Sequence, residues 1–217
     1  MYATISADVV SSTSLSSDSM VEYIIGLREF LSQLEMKYRG FWGRIVRGDS
    51  IECVLENPED AFEVALILKA WTKAFEPKDK NVKKRFKTYG LRIAIGIGEM
   101  KTIKKDLDIM DGEAIYRSGR ALDNLVGREK YYFTISMKDS EVEQPLGIII
   151  ALVNSLLNNT TARRCKTLYN KIMASGSKKT AEEMGITVSA VNQSLNAIGW
   201  NAIEQAIMYY RKLTRQL

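Results

Sequence analysis

The chain has 217 residues, of which 46% are hydrophobic and 26% are charged, a composition typical of a globular protein with one large domain or two smaller ones. It contains no histidine, which excludes Ser–His and Cys–His catalysis and the commonest metal ligand. The net charge of +5 is uneven, because the residues from 146 onward carry nine Lys and Arg against three acids. This basic tail predicts a polyanionic partner, with a solubilising surface as the alternative.

Neither a targeting segment nor a membrane span is predicted. The first residues carry an acid and no basic cluster, which does not fit a secretory signal peptide. The longest apolar run, at 148–157, contains Asn154 and is shorter than the ~20 residues of a membrane-spanning helix. Cys53 and Cys165 form no CxxC motif and are expected to be reduced. We therefore predict a cytoplasmic protein with no membrane partner.

A strand, a helix, a hairpin and a second helix are predicted, in that order, in the first 75 residues. Hydrophobic alternation and helical spacing place these elements at residues 2–10, 19–38, 42–55 and 58–75. Ser19 and Glu22 fit a capping box at the start of the first helix. Gly48 and Asp49 form the hairpin turn, and Asn57 precedes the second helix.

A further strand, helix and strand are predicted at 90–98, 111–125 and 131–137. They follow a polar loop at 78–87, whose basic residues are predicted to be exposed or, alternatively, to face phosphate. The order β-α-β-β-α-β, with a further helix and strand, is that of a ferredoxin-like domain, in which an antiparallel sheet carries its helices on one face. The predicted fold class is therefore α+β.

The residues after the acidic stretch at 140–145 are predicted to be helical throughout. This stretch ends in Pro145, and we interpret it as a boundary between two domains. The prediction is a ferredoxin-type domain at 1–143 and an all-α domain at 144–217.

The segment TAEEMGITVSAVNQSL, at 180–195, has the spacing of a helix-turn-helix. Ala181 is small where two helices must pass closely, and Gly185 falls at the turn. The pattern A-x3-G-I-x4-V-x3-L resembles that of sigma-factor region 4 and LuxR-type proteins. A helix at 162–174 is predicted to precede the pair, and the second helix of the pair is predicted at 189–197.

The exposed face of that second helix carries side chains suited to reading DNA. Asn and Gln can each make two hydrogen bonds to an adenine edge, and flanking cations can meet phosphates. The residues predicted to contact double-stranded DNA are Ser189, Ala190, Asn192, Gln193, Asn196, Arg163, Arg164, Lys178 and Lys179. The alternative is a helical hairpin that packs only for its own stability.

Three segments of the N-terminal part resemble class III nucleotidyl cyclases, which share the β-α-β-β-α-β core. Residues 6–13, SADVVSST, resemble the first-strand motif of that family. Gly48-Asp49 resembles the turn that carries its second metal-binding Asp, and residues 112–120, GEAIYRSGR, resemble the motif that ends in its transition-state Arg. Taken with the helix-turn-helix, nearly the whole chain is similar to the SatD family, which combines a cyclase-like half with a helix-turn-helix half.

The cyclase resemblance implies a homodimer in which Mg²⁺ or Mn²⁺ is held against a nucleoside triphosphate. The residues so implied are Asp8, Val9 and Asp49 for the metal and Arg120 for catalysis across the dimer. If Asp8 lies at an open site shared with Asp49, the hydroxyl run of Ser11, Ser12 and Thr13 lies where a phosphate would approach and could bind it. The alternative reading of the two carboxylates is structural, with Asp8 as a strand-end cap and Asp49 as a surface-turn residue.

Three departures from the cyclase pattern favour a domain without cyclase activity. Tyr116 stands where the family has Asn, Ile45 where it has a purine-selecting Lys, and Ser6 where it has an aromatic residue. The leading hypothesis is a dimeric DNA-binding transcriptional regulator whose cyclase-like domain dimerises and senses a nucleotide. A metal-dependent cyclase or related phosphoryl-transfer enzyme is the first alternative, and a protein-interaction scaffold is the second.

Overall fold

The computed structural model describes residues 1–10, 16–46, 48–76, 90–125 and 132–217. The loop predicted at 78–87 and the predicted phosphate-binding run of Ser11, Ser12 and Thr13 lie outside the described residues. The described chain contains both helices and strands, which confirms the α+β class in its general form.

Strands make up one large sheet and a small ribbon. They are β1 (Tyr2–Val10), β2 (Phe41–Ile45), β3 (Ser50–Leu55), β4 (Gly90–Gly98), β5 (Met100–Lys104), β6 (Ile109–Gly112) and β7 (Phe133–Ser136). The sheet has the order β2-β3-β1-β4-β7, while β5 and β6 form the separate ribbon. Neighbours in the sheet are antiparallel, except for the parallel pair of β4 and β7.

The described helices are α1 (Ser17–Lys37), α2 (Ala61–Ala74), α3 (Glu113–Asp123), α4 (Ser140–Asn158), α5 (Ala162–Ala174), α6 (Ser177–Met184), α7 (Val188–Ile198) and α8 (Trp200–Thr214). The predicted cap of the first helix at Ser19 is wrong. α1 begins earlier, because the Ser16 hydroxyl accepts a hydrogen bond from the backbone N–H of Ser19 at 3.3 Å. Within the described ranges, no helix has both the length and the apolar character needed to cross a membrane.

Helices cover both faces of the large sheet, whereas the ferredoxin-like plan predicted helices on one face only. On one face, Ile5 and the other odd-numbered residues of β1 are buried in a core shared with α1 and α2. On the other face lies α3, whose Ser118 hydroxyl bonds with the hydroxyls of Thr4 and Ser6 at 2.9 and 2.8 Å. α3 comes this close because Gly96 of β4 has no side chain, and a Cβ atom there would lie 2.2 Å from a carbonyl oxygen of α3.

The C-terminal helices share the core of α1 and α2. The ring of Tyr210 in α8 lies 5.4 Å from that of Phe62 in α2, measured between ring centroids. The ring of Tyr169 in α5 lies 5.7 Å from that of Phe30 in α1. One continuous hydrophobic cluster therefore runs from the sheet to the last helix.

The acidic stretch at 140–145 is helical, which differs from its predicted role as a boundary. It forms the first turns of α4, where the Asp139 carboxylate accepts hydrogen bonds from the backbone N–H groups of Glu141 and Val142. Pro145 lies inside this helix. The division into two domains stays a prediction, and the hydrophobic core continues across it.

A buried lysine predicts a pH dependence of stability. Lys69 of α2 donates a hydrogen bond from Nζ to the Leu91 carbonyl at 2.7 Å, and burial, with a smaller effect from the charge of Lys73, lowers its pKa to about 7. Between pH 7 and its ordinary pKa of 10.5, the unfolded chain therefore binds the proton that the folded chain has lost. The free energy of unfolding should rise with pH in this window, by up to ~1.4 kcal/mol per pH unit from this group.

The measurement is chemical denaturation of the wild type and of Lys69→Met at several pH values in that window. We expect the stability of the wild type relative to the variant to increase steadily with pH. If the free energies of unfolding of the two proteins changed equally with pH, the lowered pKa of Lys69 would be contradicted.

Candidate functional site

The carboxylate of Asp8, near the end of β1, is paired with an arginine. Its oxygens accept hydrogen bonds from Arg92, one from Nε at 2.9 Å and one from Nη2 at 2.5 Å. Arg92 stands directly opposite Asp8 on β4, and these hydrogen bonds raise the pKa of the guanidinium. The arginine therefore satisfies both oxygens of the carboxylate in a bidentate pair.

Asp49 lies within electrostatic reach of the same arginine. It is partly exposed in the hairpin turn, directly before Ser50, which β3 aligns opposite Asp8. The negative charge of Asp49 adds to the rise in the pKa of Arg92. Both predicted metal-binding carboxylates therefore act electrostatically on one guanidinium, and Asp8 is the one that forms hydrogen bonds with it.

A metal ion at this point would have to displace Arg92 from Asp8. Val9, the third predicted ligand, is paired with Leu91 of β4 and has a buried side chain. Among the residues that the structure describes, no group of three or more Asp, Glu, Cys or His side chains is arranged to hold a metal ion. The metal site stays a prediction, and the described side chains form an ion pair there.

Arg120 does not meet the carboxylates within one chain. It is exposed on α3 and borders a groove of about 550 Å³ together with Lys101 and Asn124. Neither Asp8 nor Asp49 borders this groove. The predicted catalytic role of Arg120 therefore depends on a second subunit, as the cyclase resemblance implies.

The positions that depart from the cyclase pattern have local structural roles. The Tyr116 hydroxyl is exposed and donates a hydrogen bond to the Asp111 carboxylate at 2.6 Å. Ser6 is buried beneath α3, where its hydroxyl bonds with that of Ser118, so an aromatic side chain would not fit there. Ile45 ends β2 and is partly buried.

The predicted helix-turn-helix is formed by α6 and α7. α6 ends at Gly185, whose φ of +62° is the left-handed conformation that glycine adopts without strain. The backbone N–H of Ile186 then returns to the Ala181 carbonyl at 3.0 Å. The Thr187 hydroxyl caps α7 by accepting a hydrogen bond from the backbone N–H of Ala190 at 3.2 Å.

A small apolar cluster holds the two helices together. Ala181, Val191 and Leu195 are buried against one another, and Ile186 and Trp200 pack around them. α5 contacts both α6 and α7, so the pair rests on a third helix. The spacing of apolar residues at 180–195 therefore predicted these contacts correctly.

One side of α7 presents polar side chains to solvent. The exposed residues are Ser189, Asn192, Gln193 and Asn196, and Ala190 beside them is partly buried. These are the residues predicted to meet base edges. The side chains of Ser189, Asn192, Gln193 and Asn196 make no hydrogen bond with any described residue, so their amides and hydroxyl are available.

The four predicted phosphate-binding cations are exposed and lie around α6 in different places. Arg163 borders a shallow groove beside Ile186, at the turn that precedes α7. Lys179 borders a groove on the side of α1, next to Met36. Arg164 and Lys178 are also exposed, and none of the four forms an ion pair with any described residue. Of the four, Arg163 is the one that borders a groove with Ile186 of this turn.

Comparison of the chain with models of known protein families, with curated proteins and with solved structures found no match.

Arg92 is the residue of the site that sequence reasoning missed. It interrupts the apolar strand GLRIAIGIG at 90–98, and a charged residue on a central strand needs a partner. Asp8 interrupts β1 in the same way. Two opposite charges inside two apolar strands were therefore a usable signal for the pair.

Proposed function

We propose that the chain is a dimeric DNA-binding transcriptional regulator that inserts α7 into the major groove. The observation that carries the proposal is the exposed polar face of α7, the second of two helices joined by a turn at Gly185. In helix-turn-helix proteins, the second helix of such a pair reads base edges and the first crosses the phosphate backbone. Asn192 and Gln193 supply the paired donors and acceptors that recognise adenine.

Charge supports the same function. The residues from 146 onward hold nine Lys and Arg against three acids, and the exposed Arg163 borders the same groove as Ile186, at the turn before α7. A symmetric dimer would place two α7 helices about 34 Å apart and would recognise a palindromic site.

The proposal assigns the N-terminal part to a ferredoxin-like domain of cyclase type, as in the SatD family. The strand order β2-β3-β1-β4 and the placement of α1 and α2 on one face support this assignment. In this arrangement the chain forms a dimer, and the domain binds a nucleotide as a regulatory ligand and carries the DNA-binding helices on its core.

The test is selection of duplexes from a random pool by the full-length chain, followed by titration of the selected duplex at several salt concentrations. We expect an enriched palindrome and an affinity that falls steeply as salt rises, since phosphate contacts release counterions. A pool without enrichment, together with no retention of any duplex at low salt, would overturn the proposal.

The alternative function is a metal-dependent nucleotidyl cyclase or related phosphoryl-transfer enzyme. The closeness of Asp8 and Asp49 to one cation supports it, because the same two carboxylates would hold Mg²⁺ or Mn²⁺ if Arg92 moved away. The bidentate Asp8–Arg92 pair favours the regulator. Incubation with each common nucleoside triphosphate and either metal should yield no cyclic nucleotide or pyrophosphate. Product that disappears in Asp8→Asn would establish the alternative.

A further inference from the structure

α4 has an apolar ridge on the side that faces away from the core. Its inner side is formed by Leu146 and other buried residues, which attach the helix to the protein. On the outer side, Ile148, Leu152 and Leu156 repeat every four residues and are 58%, 65% and 40% exposed. A helix that is apolar on both sides is normally covered on both sides.

Small residues run beside this outer ridge. Gly147, Ala151 and Ser155 also repeat every four residues, and Ala151 and Ser155 are exposed. Side chains four apart on a helix lie on the same face, so the small residues form a shallow furrow next to the large ones. Such a surface can take the ridge of another helix at close distance.

The outer face of α4 carries no charge. Its exposed residues between 144 and 159 are Gln144, Ile148, Ala151, Leu152, Ser155, Leu156 and Asn159. A quarter of the whole chain is charged, so this absence over four helical turns is unusual. This face offers no cation to a nucleic acid or an acidic peptide. Pairing with an identical uncharged face would bring no like charges together.

A lipid surface fits this face poorly. Helices that lie on membranes carry Lys and Arg beside their apolar face. The charged residues nearest to the ridge in α4 are instead Glu141 and Glu143, near its start.

We propose that the outer face of α4 pairs with the same face of a second copy of this chain about a two-fold axis. This inference rests on the proposed function, which requires a dimer but does not assign its interface. A symmetric pair uses one surface twice, and the uncharged ridge and furrow of α4 meet that requirement. An interface of standard size covers about 800 Å² on each copy, more than three side chains provide. An interface of that size would therefore extend beyond the ridge, and α8, which packs beside α4, also exposes an aromatic side chain, Tyr209.

Pairing through α4 would also affect the position of α7, the helix proposed to bind DNA. A Cβ atom at Gly199, the residue that ends α7, would lie 3.7 Å from the Leu156 side chain. One end of the ridge therefore adjoins the end of α7. Pairing through α4 would fix the relative positions of the two α7 helices in the dimer.

The experiment measures the molar mass of the full-length chain without DNA, by sedimentation equilibrium over a range of protein concentrations. We expect the wild type to be a dimer and Leu152→Glu to dissociate at least tenfold more readily, because two like charges would meet in an apolar contact. Ala151→Glu, on the same face with a smaller side chain, should have the same effect. Circular dichroism checks that both variants remain folded.

Met36→Glu is the matched control, since Met36 is an apolar residue of α1 that is 81% exposed. It should leave the dimer intact. A monomeric wild type, or dimers equally stable in all three variants, would overturn the inference. Because no DNA is present, a chain that dimerises through α4 but selects no duplex would contradict only the proposed function.

Discussion

Replacement of Asn192 and Gln193 by alanine should lower the affinity for the selected duplex by about 5–150-fold for each side chain that reads a base, which corresponds to about 1–3 kcal/mol. Both side chains are exposed on α7, whereas the contacts that hold α7 come from buried Val191 and Leu195. The substitutions therefore remove recognition without removing the helix. Binding to unrelated duplexes, which depends on phosphate contacts, should change little.

The control for this prediction is the pair Asn201→Ala and Gln205→Ala. These residues have the same chemistry and are exposed on α8, outside the helix-turn-helix. Arg163→Ala is the complementary variant, since loss of a phosphate contact should weaken all duplexes alike and reduce the salt dependence. Fluorescence anisotropy at fixed salt measures all the variants. Equal losses from α7 and α8 substitutions would contradict recognition by α7.

Gly96→Ala should destabilise the fold by about 3 kcal/mol, the upper end of what overpacking of a core usually costs. The added methyl group would lie 2.2 Å from the carbonyl oxygen of Ala114 and 2.5 Å from the backbone nitrogen of Ser118. Both atoms belong to the backbone of α3, so no side chain can turn aside and the helix must move. That movement would also break the hydrogen bonds from Ser118 to β1.

Gly119→Ala is the matched control, because Gly119 lies in α3 itself and, apart from its own stretch of helix, no described atom would lie within 4 Å of the added Cβ. Alanine favours a helix over glycine, so this variant should gain about 0.5–1 kcal/mol. Urea denaturation of the three proteins gives the comparison. A Gly96→Ala variant as stable as the wild type would show that α3 does not pack against β4 as described.

The helix-turn-helix could be predicted from sequence because its determinants are local. Ala181, Gly185 and Val191 lie within eleven positions of one another, and each has a role that depends on near neighbours. The residue at the turn must allow a positive φ, and the apolar residues must repeat at helical spacing. The same reasoning predicted the bounds of α5, which match the observed Ala162–Ala174.

The start of α4 could have been predicted but was not. Pro145 and two acids, Glu141 and Glu143, suggested a domain boundary, whereas Asp139 caps a helix that begins before them. Acidic residues in a first turn are favoured by the helix dipole, and Glu141 and Glu143 occupy that turn. The capping signal at Asp139 is local in sequence, and the helix forms although it contains Pro145.

Local pattern was sufficient for most elements of this protein, since helical repeats, strand alternation, caps and turns depend on residues close in sequence, but it missed the β5–β6 ribbon and the start of α4. The side-chain partners depend on strand order. Asp8 and Arg92 are 84 positions apart and meet only because β1 and β4 are neighbours in the sheet. Likewise, the outer face of α4 is an exposed ridge only because the opposite face is the one that the core buries. The apolar run at 148–157 does not by itself reveal which side of the helix is buried and which is exposed. The packing of the whole chain decides this.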